Sequence, residues 1–341
     1  MAINPSKAPW TSFHAQVHQT LRDRKLLPSG AKILIAVSGG QDSVCLAQLL
    51  LDLQPLWAWD LSIIHCDHRW RSDSADNARH VRSMAQTWEL PYYEVVAELD
   101  VSTEQKARNW RYESFISIAN THNHTHIAVG HTATDRAETL IYNLARGSGA
   151  EGMQALGWSR LAHENSCIQV IRPLLAVTRT QTGDFCHDRQ LPIWHDTTND
   201  DLTYSRNRIR QQIIPLLQDA LNPQADRHLA QTAELLTADV VFLQEQAQIL
   251  YGQVVENSGL GNSGLGNYDK LHRHKLAAAP LALQRRVLRL FCKSVLKFNP
   301  TFDQIEDLLM LLTAQSRSQS STFKGGAIGV VRGDYLTWSQ S

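Results

Sequence analysis

Apolar residues recur along this chain in two rhythms that alternate. Trp10, Phe13, Val17 and Leu21 stand at helical spacing and predict an amphipathic helix near the N-terminus. Residues 33–37 form an apolar, mostly β-branched run, the pattern of a buried parallel strand. Residues 44–51 continue as an apolar helix. Further strands are predicted over 61–66, 92–96, 126–130 and 168–171, the last stopped by Pro173. Helical patterns fill the intervals at 73–88, 104–119, 137–146 and 178–189. Strands of four to six residues alternating with helices predict an α/β domain built on a doubly wound parallel sheet.

Beyond this region the helical period dominates. Ile209, Ile213, Leu216 and Leu217 form the stripe of a helix running to Leu221, with Pro215 inside it predicting a kink or restart. Long helices are expected over 224–251, 281–297 and 302–313. Gly325-Gly326 and Gly333-Asp334 mark turns in a strand or hairpin region over 322–338. Asn-Ser-Gly-Leu-Gly stands twice within 257–267, too short for a repeat fold, and reads as a flexible loop. The expected organisation is a domain over 1–215 and a smaller, mainly helical domain over 216–341.

Composition narrows the class. The 341 residues, 43% hydrophobic and 19% charged, suit a globular protein of two domains. Lys and Arg balance Asp and Glu at 33 each, yet from Lys270 onward there are eleven basic and four acidic residues. Such a basic C-terminal third suits a polyanion-binding module, or simply a solvated charged face. The five cysteines show no Cys-x-x-Cys spacing, which weakens zinc and iron–sulfur readings. Their odd number fits a reducing cytosol, and neither a secretory signal nor a membrane span is expected.

The densest chemistry follows the first strand. Ser38-Gly39-Gly40-Gln41-Asp42-Ser43 joins strand to helix, the architecture of a phosphate cradle. No Gly-Lys-Ser/Thr closes the loop, so it is not a Walker A loop. It carries an acid, Asp42, and an acid beside a polyphosphate implies an intervening cation such as Mg²⁺. The plainer reading is a tight turn with Asp42 as an N-terminal helix acid. His131 and Asp135, one helical turn apart past a strand, suit a phosphate contact or proton transfer and a second Mg²⁺ carboxylate. Asp135 also suits a helix cap. Arg206 and Arg208 suit bidentate phosphate binding, and His68 with Arg71 and Arg108 with Arg111 fit ligand or RNA phosphates. Trp57, Trp59, Trp70 and Trp110 read as packing.

Ser-Gly-Gly-x-Asp-Ser resembles the PP-loop of the N-type ATP pyrophosphatases. That resemblance implies an adenine-nucleotide α-hydrolase-like fold, cleavage of ATP between the α and β phosphates, and an adenylated substrate. The larger ordered set resembles the tRNA(Ile)-lysidine synthetase family. It comprises the loop, the run from His65 to Arg71, Glu104 with Ala107-Arg108 and Arg111-Tyr112, and Gly130-His131 with Asp135 and Glu138. It continues with Arg146-Gly147-Ser148-Gly149, Asp196 with Asn199, and Arg206-Asn207 with Ile209-Arg210. Leu283-Gln284-Arg285-Arg286 and Phe323-Lys324-Gly325-Gly326 resemble that family's small substrate-binding domain. Trp70 and Arg136 depart from the pattern, where a small residue and glutamine are expected.

The resemblance implies a ligase that joins L-lysine to C2 of the wobble cytidine of a CAU-anticodon isoleucine tRNA, using ATP and Mg²⁺. It implies that residues 38–43 bind ATP, that Asp42 and Asp135 hold the metal, and that His131 and Arg206 support the departing phosphate. His68, Arg71, Arg108, Arg111, Arg285, Arg289 and Lys293 are the expected tRNA contacts. The oligomeric state stays open, a homodimer among the options. Two alternatives are a PP-loop tRNA-thiolating enzyme and a non-catalytic RNA-binding protein on the same scaffold.

Overall fold

The computed structural model describes residues 10–70, 73–98, 103–195, 197–256, 269–296 and 299–340. Arg71, Asp196, Lys297 and the tandem 257–267 repeat lie outside them. Backbone contacts divide the chain into a unit ending at Thr237 and a unit starting at Ala238, later than the 215/216 division expected.

The first unit opens with α1 (Ser12–Asp23), β1 (Lys32–Ala36), α2 (Gln41–Trp57), β2 (Asp60–Asp67), α3 (Ser74–Thr87) and β3 (Tyr92–Val96). It continues through α4 (Glu104–Thr121), β4 (His126–Val129), α5 (Ala133–Ala145), the short α6 (Ala150–Met153), β5 (Ser159–Leu161) and β6 (Gln169–Ile171). Then come α7 (Arg179–Asp188), a 3-10 turn at Thr197–Asp200, and α8 (Ser205–Arg208). A π turn at Ile209–Ile213 leads into α9 (Ile214–Ala220), followed by α10 (Ala225–Val254). Pro215 sits at the start of α9, where its missing N–H costs least, so the expected restart is what forms.

Six strands form one sheet in the order β3-β2-β1-β4-β6-β5, parallel except for β5. The short antiparallel β5 was not anticipated, because Ser159-Arg160-Leu161 is exposed along its length and has no apolar signature. β1 shows why the sheet is covered on both faces. Ile33 and Ile35 pack with α1, α2 and α3 residues in one core, and Leu34 packs with Phe115 and Ala119 of α4 in another. The chain winds outward from β1 through β2 to β3, then crosses to β4 on the other side. The strand order therefore reverses between β1 and β4, where an open α/β sheet forms a crevice.

The second unit holds the rest of α10, then β7 (Val255–Glu256), β8 (Lys270–His272), α11 (Arg273–Ala277), α12 (Leu281–Leu296), α13 (Phe302–Leu311), β9 (Ala327–Arg332) and β10 (Tyr335–Gln340). The turn-marked C-terminal region is the expected hairpin, β9 and β10 pairing antiparallel. β8 and β7 extend it to four strands. Phe291, Leu308, Phe323, Leu336 and Trp338 share one buried core. Buried Arg273 donates to the carbonyls of Gly333, Leu312 and Ala314, so part of the basic surplus is structural.

Candidate active site

The carboxyl ends of β1 and β4 open into a cavity of about 350 Å³ lined by the glycine turn, Gly130, His131, Asp135, Arg179 and Arg206. One wall is the end of β2 with His68, and another is α4 with Glu104, Arg108, Arg111 and Tyr112.

The glycine turn is set by a few local contacts. Gly39 has φ of +89°, a conformation L side chains rarely adopt. Gly40 caps α2 in ordinary extended geometry, with no side-chain hydrogen bond at that helix start. The first N–H groups of α2 therefore face the cavity end without a capping side chain, as an anion site requires. Ser43 Oγ donates to the Gly40 carbonyl at 2.8 Å and accepts from Ser38 N–H at 3.1 Å, closing the loop on itself. Asn77 Nδ2 donates to the Ser38 carbonyl and Trp194 N–H to the Gly39 carbonyl, so α3 and the segment before Asp196 hold the turn from outside.

Opposite stands β4. His131 N–H turns back to the Val129 carbonyl at 3.0 Å, bending the chain at Gly130. A Cβ on Gly130 would lie 2.9 Å from the Asp42 carbonyl oxygen and 3.0 Å from Ser43 N. The two loops thus approach backbone to backbone, which brings Asp42 and Asp135 into one electrostatic field.

Asp42 is held on both oxygens. Arg179 donates from Nη1 to Oδ2 at 2.5 Å, and Thr182 donates from Oγ1 to Oδ1 at 2.5 Å. Burial raises its pKa, Arg179 opposes that rise, and neighbouring Asp135 adds to it. Asp135 accepts from Thr132 N–H and Oγ1 through Oδ2, a helix cap, while Oδ1 meets Arg210 at 3.2 Å. Burial alone would raise Asp135, but His131, Arg210, the Thr132 N–H and Arg206 outweigh it and hold the carboxyl below its usual range. Both readings of Asp135, cap and cavity acid, hold at once. Beneath it, Glu138 is fully buried and takes Arg210 on both oxygens at 2.6 and 3.1 Å. Arg206 lies within 4.0 Å of Glu104, Asp135 and Glu138.

His131 is pushed down to about 3, chiefly by burial and further by Arg172, Arg206 and Arg108, against the pull of Asp135. It is a neutral imidazole at physiological pH. Arg172 Nε donates to its Nδ1 at 3.3 Å.

Of the expected residues, the structure gathers Ser38, Gly40, Gln41, Asp42, Ser43, His68, Arg108, Arg111, His131, Asp135 and Arg206 around one cavity, while Gly39 shapes the turn from behind it. Gln41 spends its side chain elsewhere, donating to the Arg179 carbonyl and Thr182 Oγ1 and so tying α2 to α7. Arg285 is closed by Glu306 at 2.8 and 3.1 Å on the second unit, where α12 also carries Arg289 and Lys293. Sequence reasoning did not single out Arg172, Arg179 or Thr182 for the site. Arg179 lies 137 residues from Asp42, and only the Thr178 to Gln181 capping box marked its helix start.

Comparison with known proteins agrees with this geometry. Residues 9–217 match the PP-loop domain family, and residues 271–333 match the TilS substrate binding domain. A tRNA(Ile)-lysidine synthase of Nostoc sp. is 51% identical, covering 96% of this chain and 96% of that one. One from Synechocystis sp. is 44% identical over 96% and 98% of the two chains. A chloroplastic tRNA(Ile)-lysidine synthase of Zygnema circumcarinatum is 34% identical over 89% and 81%. Among solved structures, the U34-tRNA thiolase NcsA from Methanococcus maripaludis with its [4Fe-4S] cluster superposes with a TM-score of 0.56. It is 16% identical and covers 66% of this chain and 78% of that chain, a likeness of fold alone. A glycine turn opposed by buried acids and arginines, on a chain that these relatives match over most of its length, makes this protein an ATP-using ligase of the tRNA(Ile)-lysidine synthase family.

Proposed function

We propose that this enzyme joins L-lysine to C2 of the wobble cytidine of an isoleucine tRNA with a CAU anticodon. The observation that carries the reading is the acid pair Asp42 and Asp135, set among Arg179, Arg206 and Arg210 beside the uncapped start of α2. Binding alone needs no such arrangement of opposed charges around a phosphate cradle.

In the first step the cytosine C2 oxygen attacks the α-phosphorus of ATP, and pyrophosphate leaves. In the second, the lysine ε-amine attacks C2, and the former C2 oxygen departs on AMP. The α2 N-terminus and Arg179 would receive the charge of the outgoing pyrophosphate, with Arg206 across the cavity. His131, neutral, would act as an N–H donor to phosphate oxygen and not as a titrating base.

The donor set fits Mg²⁺. The Asp135 charge raises the proton affinity of Asp42, and a divalent cation held by the two carboxylates would remove that repulsion. Among the described residues no group of three or more His, Cys, Asp or Glu could cage a metal. Two carboxylates shared with substrate phosphates is the ordinary Mg²⁺ arrangement. Asp42 and Asp135 would hold the ion, which when bound neutralises phosphate charge.

Arg108, Arg111 and His68 on the cavity walls, and Arg289 and Lys293 on α12, are our candidates for tRNA contacts. Arg285, paired with Glu306, would have to exchange partners to join them. Among the described residues no helix is long and apolar enough to cross a membrane. We place the enzyme in the cytoplasm, a reading supported by its five free cysteines.

Thiolation is the competing chemistry, and the cysteines disfavour it. Cys45, Cys186 and Cys292 are buried, and burial pushes the cavity-lining Cys66 thiol up to about 12. The test is mass analysis of nucleosides from the CAU tRNA after incubation with ATP and lysine. Lysidine is expected with wild type and should vanish with Asp42→Ala. AMP release with sulfide but not with lysine would overturn the assignment.

A further inference from the structure

Arg172 follows β6 and is almost wholly buried, at 3% exposure. A buried guanidinium carries a large desolvation penalty unless its donors are used. Here Nη1 donates to the Gly157 carbonyl at 2.7 Å, anchoring the group, and Nε is aimed at His131 Nδ1 at 3.3 Å. The partner is unusual, since an imidazole is a neutral acceptor where a carboxylate would bind more strongly.

The chemistry of this contact admits one proton arrangement. Guanidinium has donors and no acceptor, and it is not deprotonated in proteins. Nδ1 of His131 must therefore offer a lone pair, which leaves the single ring proton on Nε2. His131 lines the cavity, and the charged groups around it come from each packed element: Asp135 on α5, Arg206 on α8, Arg108 on α4 and Arg172 itself. Without Arg172, nothing in this set of contacts would choose between the two tautomers.

We propose that Arg172 is a positioning residue for the reaction. It fixes His131 as the Nε2–H tautomer, so that a neutral donor faces the phosphate groups of the substrate. The proposal rests on the ligase reading for its catalytic half, while the tautomer half stands on the contact alone. The logic is that of other functional imidazoles, in which the hydrogen bond at one ring nitrogen dictates what the other can do.

The experiment uses the full chain labelled with [15N]histidine, the His131 signals being assigned by their loss in H131Q. Wild type is expected to show a protonated Nε2 and a bare Nδ1 at neutral pH. Arg172→Met removes the donor while keeping much of the volume. It should give a mixture of tautomers and lower kcat for tRNA- and lysine-dependent AMP release by about 10- to 100-fold. The KM for ATP should change little. Arg172→Lys keeps a donor and should restore the tautomer and most of kcat. A wild-type signal showing Nδ1–H or an imidazolium overturns the proposal. So does a kcat that falls in Arg172→Met while the tautomer stays pure, or holds while the tautomer scrambles. If Arg172→Met does not fold, the wild-type spectrum and Arg172→Lys decide the matter. Wild type that releases no AMP with the CAU tRNA, ATP and lysine overturns the ligase reading, and the spectrum then still tests the contact separately.

Discussion

The three glycines around the cavity differ in what they are for. Gly39 needs its positive φ, and a Cβ there would also run into Asn77 Oδ1. Gly130 does not need a positive φ but has no room for a side chain, because the Asp42 and Ser43 backbone fills the space. At Gly40 the nearest atom to an added Cβ is Ser38 Oγ at 3.5 Å, ordinary contact. Gly130→Ala is therefore expected to cost about 1–3 kcal/mol, since backbone rather than a movable side chain must yield. Gly40→Ala should stay below about 1 kcal/mol, the usual difference between these residues at a helix cap. Urea denaturation of the two variants checks this. Equal losses would show that Gly40, too, has no room for a side chain, against the 3.5 Å of free approach there.

At the scale of elements, the site depends on how α7 meets α2. Thr182, fully buried, accepts from Gln41 and donates to Asp42, and Gly183 lets the helices close, with Gln41 only 3.2 Å from where a Cβ would be. The helix α7 itself was readable from its pattern and its Thr178–Gln181 cap. Its role was not, because no local spacing links residues 179–183 to the loop at 38–43. Thr182→Val keeps the shape and removes the hydroxyl. It should cost about 1–3 kcal/mol by leaving Gln41 and Asp42 short of a partner. It should also raise the KM for ATP, because Asp42 loses the group that holds its orientation. Steady-state kinetics with unchanged KM would separate the α2–α7 tie from nucleotide binding.

For the whole first unit, acid is the expected weakness. His131 is pushed down to about 3, and burial with nearby Lys32 pushes His124 down to about 4. Both are neutral in the fold and take up protons when unfolded, with an unfolded value near 6.5. A depressed histidine contributes stability that is whole above about pH 6.5 and is lost as pH falls toward the folded value. Asp42, raised by burial, pulls the other way. Between pH 7 and 5 each of these histidines should cost on the order of 1–2 kcal/mol of stability. His124→Gln should flatten that dependence without touching the cavity, since it lies at the opposite end of β4 from Gly130. Urea unfolding at the two pH values reads it directly, and an unchanged slope in the variant would remove His124 from the explanation.

What the chain determined by itself was whatever is written in neighbouring residues. Strand-turn-helix at 33–51, the β-α alternation, the C-terminal hairpin and the acid-bearing glycine turn all follow from periods of two and 3.6 and from φ-permissive residues. Motif order then carried the family, which the relatives share along nearly the whole chain. The tertiary structure decided which charges meet. Arg179 on Asp42, Arg210 on Glu138, Arg172 on His131 and Arg285 on Glu306 join residues 21 to 137 positions apart. Burial and partnership are properties of the folded neighbourhood. They change a titratable group's charge state and free donors, and no spacing along the chain encodes them.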